Sequence, residues 1–169
     1  MLLDTERMRR RLAALTELES HLSFRVARLS KLLDTHASRQ LVDREVNLTG
    51  YRVLMVLGVL GETTSADLSR VMVIDPAQIS RTVSDLLAAG LLHDRVDPAS
   101  RRRKLLRLSE EGRAELDGVR HRFEARQRVM AELLSEEELD GLTAAIDKLS
   151  RHFARELEHP EAMPVSSDK

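Results

Sequence analysis

The 169-residue chain contains no cysteine and no tryptophan, and its aromatic residues are one tyrosine and three phenylalanines. Without cysteine the chain can form no disulfide, no thiolate metal site, no catalytic thiol and no cysteine-based redox sensor. Glycine and proline are scarce, and neither occurs between Met1 and Thr49. A third of the residues are charged, and Leu, Ala, Arg and Glu are abundant. This composition favours long amphipathic helices over sheets.

Membrane and catalytic signatures are also missing. The longest apolar run, Val53–Leu60, is too short to span a bilayer, and the charged residues directly after Met1–Leu3 are unlike a signal peptide. We therefore expect a cytoplasmic protein without membrane contact. The six histidines show no His-Glu-x-x-His spacing, and no P-loop, dinucleotide fingerprint or nucleophile elbow occurs. We expect no enzyme, cofactor or metal, although a histidine–carboxylate metal site between chains stays open.

The stretch from Thr63 to Ser109 is the most informative, because it predicts helix, turn, helix, strand, basic loop and strand. Its second helix begins at Asp75-Pro76, an N-cap followed by the proline that suits the first helical position, and ends at Gly90. The apolar residues fall on one helical face: Ile79, Val83, Leu86 and Leu87. The other face carries small hydrogen-bonding side chains and one arginine, which can meet base edges in a DNA major groove.

Two short strands follow, Leu92–Val96 and Lys104–Leu108, joined by the turn Asp97–Ser100 and the basic run Arg101–Lys104. The preceding short helix starts at a capping box, Thr64 to Asp67. A helix-turn-helix followed by a basic hairpin is the layout of a winged helix-turn-helix. Charge supports this interpretation, since residues 70–107 hold eight basic and four acidic residues, whereas residues 132–161 hold three and nine.

Long amphipathic helices flank this unit on both sides. The first is predicted from Thr5 to about Leu33, with a kink allowed at residues 34–36 because Asp and Thr are weak mid-helix residues. A buried helix capped by Thr49 follows, Tyr51–Leu60. Helices from Ser109 to Leu134 and from Ser135 onward complete the chain. The apolar stripes of the first and last helices are Leu15, Leu18, Leu22, Val26, Leu29 and Leu33, and Leu139, Leu142, Ile146, Leu149, Phe153 and Leu157.

Together the two stripes supply more apolar surface than a small winged helix can cover, so we expect a homodimer. The predicted fold class is mainly α with a small β-hairpin wing, a winged helix-turn-helix with N- and C-terminal dimerisation helices. Residues 1–46 form the N-terminal dimerisation region and residues 47–110 the DNA-binding domain. Residues 111–158 form the C-terminal dimerisation helices, and residues 159–169 a disordered tail.

The same residues resemble the MarR family of transcriptional regulators, over Leu22 to Leu157 in the order of elements. Leu48–Leu54 is similar to the entry of the family's second helix. Pro76–Leu92 is similar to the family's recognition helix. Within it, Ser80-Arg81 stands where the family usually has Thr-Arg. The wing and the next helix are matched by Arg101-Arg102, Leu106, Leu108-Ser109, Gly112-Arg113 and Leu116.

Two departures from the family pattern affect the expected DNA contacts. Ser100 replaces the family's wing Asp, which helps to hold the wing arginines, and Arg103 with Lys104 extends the basic tip instead. Ser84-Asp85-Leu86-Leu87 replaces the usual Asp-Arg-Leu-Glu.

The resemblance implies a DNA-binding regulator, a repressor that binds a pseudo-palindromic, double-stranded operator and is released by a small-molecule effector. Arg81 can bond guanine and Gln78 adenine, because both lie in the first half of the recognition helix. For Ser80 and Thr82, solvation or phosphate contact is as good an explanation as base reading. The predicted DNA-binding residues are Ser65, Gln78, Ser80, Arg81, Thr82, Ser84, Arg101, Arg102, Arg103 and Lys104.

The family also implies a pocket where the dimerisation helices meet the winged helix, which takes a small aromatic or amphipathic acid. The residues placed to line it are His21, Ser23, Phe24, Arg25, Arg28, Tyr51 and Met55. The alternative is that the arginines lie on the surface, Phe24 in the core and His21 at the dimer seam. Two other functions stay open: a DNA-binding architectural or replication protein without ligand control, and a protein-interaction module.

Overall fold

A computed structural model of the chain describes residues 6–7 and 15–158, except the side chains of Arg101 and Arg102. Residues 15–20 are helical. The elements that follow are α1 (Leu22–Arg39), α2 (Leu48–Leu60), β1 (Glu62–Thr63), α3 (Ser65–Met72), α4 (Pro76–Ala88), β2 (Leu92–Asp97), β3 (Ser100–Leu108), α5 (Glu110–Glu132) and α6 (Glu136–Glu158). This mainly helical fold with a small antiparallel sheet confirms the predicted fold class. The predicted helix start near Thr5 and the predicted disordered tail lie outside the described residues.

One apolar core joins α2, the helix-turn-helix and the sheet. Helix α2 is central to it, because Val53, Leu54 and Leu57 are almost fully buried. The other nearly inaccessible side chains come from four different elements: Leu68, Ile79, Leu106 and Val119. Burying such an aliphatic side chain contributes roughly 1.5–3 kcal/mol each. The shared core therefore fixes α3 and α4 relative to the sheet.

Helix α2 differs from its prediction at both ends. It begins three residues earlier, and its N-cap is Asn47 rather than Thr49, because the Gly50 amide donates to Asn47 Oδ1 at 2.9 Å. The prediction that this helix is buried is wrong at its C-terminal end, where the Val59 side chain is 82% exposed. The helix ends at Leu60 as predicted, and Gly61 follows it with φ 77°.

Helix α1 passes through residues 34–36 without the kink that the sequence allows there. The Thr35 and Ser38 hydroxyls donate to carbonyl oxygens one turn earlier, at 2.8 and 2.9 Å, so both side chains are satisfied within the helix. The break lies instead at His21, whose backbone is extended. An ion pair of 2.5 Å between Arg52 Nη2 and Asp34 Oδ1 joins α1 to α2.

The sheet has the strand order β1-β3-β2, and both pairings are antiparallel. The predicted turn Asp97–Ser100 is confirmed, and Glu62–Thr63 pairs with β3 as a short third strand. The basic run does not form a loop, however. Strand β3 already begins at Ser100, so the backbone of residues 101–104 belongs to the strand.

The start of α5 depends on a close backbone approach. The Ser109 amide donates to Leu91 O at 3.1 Å, and the Gly112 amide donates to Ser109 Oγ at 2.9 Å. A β-carbon at residue 112 would lie 2.0 Å from Leu91 O. Only glycine fits there, and the contact fixes the first turn of α5 against the end of the helix-turn-helix.

The described residues form two compact units that divide between Phe123 and Glu124, within α5. Helix α6 belongs to the second unit and starts at a capping box. The Glu138 amide donates to Ser135 Oγ, and the Ser135 amide donates to a Glu138 carboxylate oxygen at 2.9 Å. These bonds lower the pKa of Glu138. Among the described helices, none has the length and apolar content that crossing a bilayer requires.

Candidate nucleic-acid interface

A capping box and a left-handed residue shape the helix-turn-helix. The Asp67 amide donates to Thr64 Oγ1 at 3.2 Å, and the Thr64 hydroxyl donates to Asp67 Oδ2 at 2.7 Å. This confirms the predicted start of α3 and lowers the pKa of Asp67. At the other end, Val73 has φ 52° and ψ 46°. The Ser69 hydroxyl closes the turn by donating to Ile74 O at 2.7 Å, which directs the chain into α4.

Helix α4 is anchored at its first residues. Asp75 Oδ1 accepts from the Ala77 and Gln78 amides at 3.0 and 3.1 Å, and Pro76 occupies the first helical position. Both features confirm the prediction. The helix then presents a face on which these side chains are exposed: Ala77, Gln78, Ser80, Arg81, Ser84 and Asp85. This outer face combines amide, hydroxyl and guanidinium groups, the types that recognise base edges.

Thr82 does not belong to that face. Its side chain is only 8% exposed, and Ile79, Val83 and Leu86 are buried beside it. Residue 82 follows Ile79 by three and precedes Leu86 by four, so a helical period places it in the buried stripe. Its prediction as a DNA contact is therefore corrected. The Ser84 hydroxyl donates to Ser80 O at 2.9 Å, which leaves its oxygen as an acceptor.

The wing carries ion pairs on both faces of the hairpin. Arg95 binds Glu62 through two bonds, Nε–Oε1 at 2.8 Å and Nη2–Oε2 at 2.6 Å, and joins β2 to β1. The pair lowers the pKa of Glu62 and raises that of Arg95. Lys104 Nζ lies 2.6 Å from Asp94 Oδ2, which lowers the pKa of Asp94. The predicted phosphate contact Lys104 thus already has a carboxylate partner.

Of the wing residues Arg101, Arg102 and Arg103, the structure describes the side chain of Arg103. Arg103 is exposed, and no acidic group among the described residues forms an ion pair with it. The predicted contacts of Arg101 and Arg102 lie outside the described side chains. Their backbone is part of β3.

An open cleft of about 550 Å³ lies between the start of α3 and the wing. We call it the α3–wing cleft; it is lined by Thr64, Ser65, Ala66, Asp67, Arg70, Arg103 and Lys104. The structure thus brings the predicted contacts Ser65, Arg103 and Lys104 together. Arg70 Nη1 pairs with Asp67 Oδ1 at 2.8 Å. The cleft therefore holds three cations, two of which have carboxylate partners in the chain.

Sequence reasoning missed Arg70, Asp67 and Asp94 as parts of this site. Asp67 was recognised only as a helix cap. The pairing of Asp94 with Lys104 depends on the strand register, which places residue 94 opposite Leu106 and residue 104 opposite Val96. The two-residue turn alone would have predicted a different set of opposite residues. The irregularity between Val96 and Asp97 shifts the register of the two strands.

Most of the predicted effector-binding residues lie on the surface of the chain. His21, Ser23 and Arg25 are exposed, Phe24 is half-buried and Met55 is exposed. Arg28 Nη1 pairs with Glu19 Oε1 at 2.8 Å.

The prediction that Tyr51 lines the effector pocket is corrected. It is 6% exposed, and its ring stacks on Phe123 with centroids 4.1 Å apart. The ring therefore belongs to the core that holds α2 against α5. In the part of the chain that is described, no group of three or more His, Asp or Glu side chains is placed to hold a metal ion.

The capped α4, the preceding α3 and the antiparallel hairpin define a winged helix. The model of the MarR family matches residues 45–103, which span α2 to the middle of the wing. This stretch of the chain is therefore similar to the MarR family, the family that its residues resemble. Among the curated proteins, no match is found.

Solved structures show the same fold over a larger part of the chain. A probable transcriptional regulator from Pseudomonas aeruginosa has 25% sequence identity and a TM-score of 0.66, covering 78% of this chain and 98% of that one. MepR of S. aureus, whose structure was solved as a DNA complex, has 19% identity and a TM-score of 0.73, covering 80% of this chain and 98% of that one.

A third structure concerns ligand control. BpsR of Bordetella bronchiseptica has 22% identity and a TM-score of 0.70, covering 77% of this chain and 93% of that one. That structure describes a mechanism by which 6-hydroxynicotinic acid regulates DNA binding of BpsR.

Proposed function

We propose that this protein is a transcriptional regulator that binds double-stranded operator DNA through α4 and the basic wing. The observation that carries the proposal is the outer face of α4, where Gln78, Ser80 and Arg81 are exposed beside a rigid N-cap. A helix of this width fits the major groove of B-DNA. The wing cations Arg103 and Lys104 supply phosphate contacts, which position a protein on DNA without reading its sequence.

The proposed regulator acts as a homodimer. Two copies of α4 then read two half-sites, which requires them to lie roughly 34 Å apart along the DNA axis. The exposed apolar stripe of α6 supports this assembly, because none of its side chains is buried by the part of the chain that the structure describes. A dimer of this kind recognises a pseudo-palindromic operator, and occupancy of a promoter by it represses transcription.

The proposed regulator is released from DNA by a small acid. Arg25 and Arg28 lie one helical turn apart on α1 and can fix a carboxylate between them, while Phe24 offers an apolar wall. Tyr51 is withdrawn from this set because its ring is buried. The effector acts by binding more tightly to a dimer whose two α4 helices no longer match the grooves.

Arg81→Ala tests the DNA-binding assignment. We expect a loss of about 1–3 kcal/mol in binding to the protein's own upstream DNA and a weaker preference over random duplex. Fluorescence anisotropy at fixed salt measures both affinities. The matched control is Arg120→Ala, which removes an exposed arginine of α5 paired with Asp117 and should leave binding unchanged.

Two outcomes would contradict the proposal in different ways. An equal loss of specific and random binding in Arg81→Ala would make Arg81 a phosphate contact and remove it from base reading. A wild-type protein that binds no duplex DNA would favour a winged helix that serves as a protein-interaction module.

A further inference from the structure

Two of the three cations of the α3–wing cleft are paired with carboxylates of the same chain. These cations, Arg70 and Lys104, each lie within 2.8 Å of a carboxylate oxygen of the same chain. Phosphate groups are bound by such cations through charge-assisted hydrogen bonds. A phosphate that enters the cleft must therefore compete with Asp67 and Asp94.

The two carboxylates differ in what else they do. Asp67 is part of the capping box of α3, since it exchanges two hydrogen bonds with Thr64, and its presence is explained by helix formation. Asp94 lies in a strand and caps no helix. It lies in β2 with its side chain 30% exposed, and its carboxylate oxygen Oδ2 accepts a hydrogen bond from Lys104 Nζ at 2.6 Å.

The register explains why this pair forms. Asp94 is opposite Leu106 and Lys104 is opposite Val96, so residues 94 and 104 are diagonal neighbours on one face of the hairpin. Leu106 on that face is buried in the core. The face is thereby fixed, and the side chain of Lys104, 69% exposed, lies at the rim of the α3–wing cleft, beside Arg103.

We infer that Asp94 is an intramolecular competitor of DNA phosphate, which occupies the wing lysine and weakens the sequence-independent part of DNA binding. The inference rests on the proposed function, because it requires DNA to approach this cleft. Phosphate contacts supply most of non-specific affinity and carry no sequence information. Because Asp94 occupies Lys104, the affinity for DNA depends more on the contacts made by the outer face of α4.

Asp94→Asn tests the inference, because asparagine keeps the shape of the side chain and removes its charge. We expect specific and random duplexes to bind about two- to fivefold more tightly, the range that the loss of an exposed ion pair allows. The plot of log affinity against log salt should become steeper by about 0.9, as for one added phosphate contact. Asp117→Asn is the matched control, since it also removes one charge and releases one arginine, Arg120, on α5.

A double-substitution cycle with Lys104→Gln identifies the path of the effect. In the Lys104→Gln background, Asp94→Asn should no longer strengthen binding beyond the control. If Asp94→Asn weakens binding, the pair only stabilises the hairpin, and the inference is wrong. It is equally wrong if Asp94→Asn matches Asp117→Asn, or if its effect survives in Lys104→Gln.

Failure of the inference and failure of the proposed function give different results. If the wild type binds its upstream DNA and Arg81→Ala reduces that binding, only the inference is at stake in the Asp94 series. Retention on immobilised heparin, a sulfated polyanion without base sequence, gives a second readout. There Asp94→Asn should elute at higher salt than both the wild type and Asp117→Asn, and an unchanged elution overturns the inference even if no operator is found.

Discussion

A bidentate ion pair fixes the segment between α1 and α2 to helix α5. Arg122 Nη1 and Nη2 lie 2.6 and 2.8 Å from the two carboxylate oxygens of Asp43, and Nη1 also donates to Gln40 O at 2.7 Å. The pair lowers the pKa of Asp43 from its usual 3.8 to about 2, chiefly because Arg122 donates these hydrogen bonds. It raises the pKa of Arg122.

This pKa shift predicts a defined pH dependence of stability. A carboxyl whose folded pKa lies below its unfolded value stabilises the fold above pH 3.8, and the contribution disappears as pH falls toward 2. Asp43→Asn should therefore lower the free energy of unfolding at pH 6, and its difference from wild type should shrink as the pH falls toward 2. Urea unfolding at stepped pH measures this.

Arg122→Gln provides the control for that measurement. It removes the donor instead of the carboxylate and should reduce the same pH-dependent difference. A difference between Asp43→Asn and wild type that stays constant over the whole range would show that the ion pair is not its source.

Single residues are also where the sequence was least informative about the site. Exposure of Gln78, Ser80 and Arg81 followed from the helical period, because the apolar stripe of α4 is regular. Thr82 was misplaced because a threonine carries no hydrophobic signature, although its spacing from Ile79 and Leu86 places it in the buried stripe. The partner of Lys104 could not be predicted, because a one-residue change in strand register moves a side chain to the other face.

At the scale of elements, capping residues were the most reliable signals. Asp75, Thr64 and Ser135 each cap the helix that the sequence predicted, because a cap is a local interaction between neighbours in the chain. The cap of α2 was assigned to Thr49, since Asn47 and Thr49 are both acceptable caps. The break at His21 carries no local signal of that kind.

Helix α6 is the element whose surface most requires a partner. It has no buried residue, and the six apolar side chains of its stripe are 38–71% exposed. Their spacing of three and four residues is that of a coiled-coil seam. Each leucine that a second copy covers contributes roughly 1.5–3 kcal/mol.

Leu142→Glu should therefore dissociate the proposed dimer, because it places a charge in the seam. Sedimentation velocity at micromolar concentration measures the change from dimer to monomer. Arg151→Glu is the control, since residue 151 lies about 200° around the helix from Leu149 and away from the seam. A wild-type protein that sediments as a monomer would contradict the assignment of this surface.

At the scale of the whole molecule, ligand control requires two states of the dimer that differ in the spacing of their α4 helices. A ligand can shift the balance between them only by its difference in affinity. Moving a population from 1:99 to 99:1 requires a difference of about 10⁴-fold. An effector held by one exposed cation would gain only a small part of this difference in affinity. Arg25 and Arg28 therefore have to bind the proposed effector together.

Calorimetric titration with a panel of aromatic acids tests that arrangement. Arg25→Ala and Arg28→Ala should each weaken binding of any acid that releases DNA from the wild type, and Arg120→Ala should not. An acid that releases DNA yet binds both variants with unchanged affinity would place the carboxylate anchor elsewhere in the protein.

The division of α4 into a buried face and an outer face has an evolutionary consequence. Ile79, Val83 and Leu86 support the core, whereas substitutions at exposed positions usually change stability by less than about 0.5 kcal/mol. Residues 78, 80 and 81 can therefore vary without loss of the fold. After a gene duplication, two copies built in this way could diverge in the promoters they recognise through a few substitutions, while both continued to fold and assemble as before.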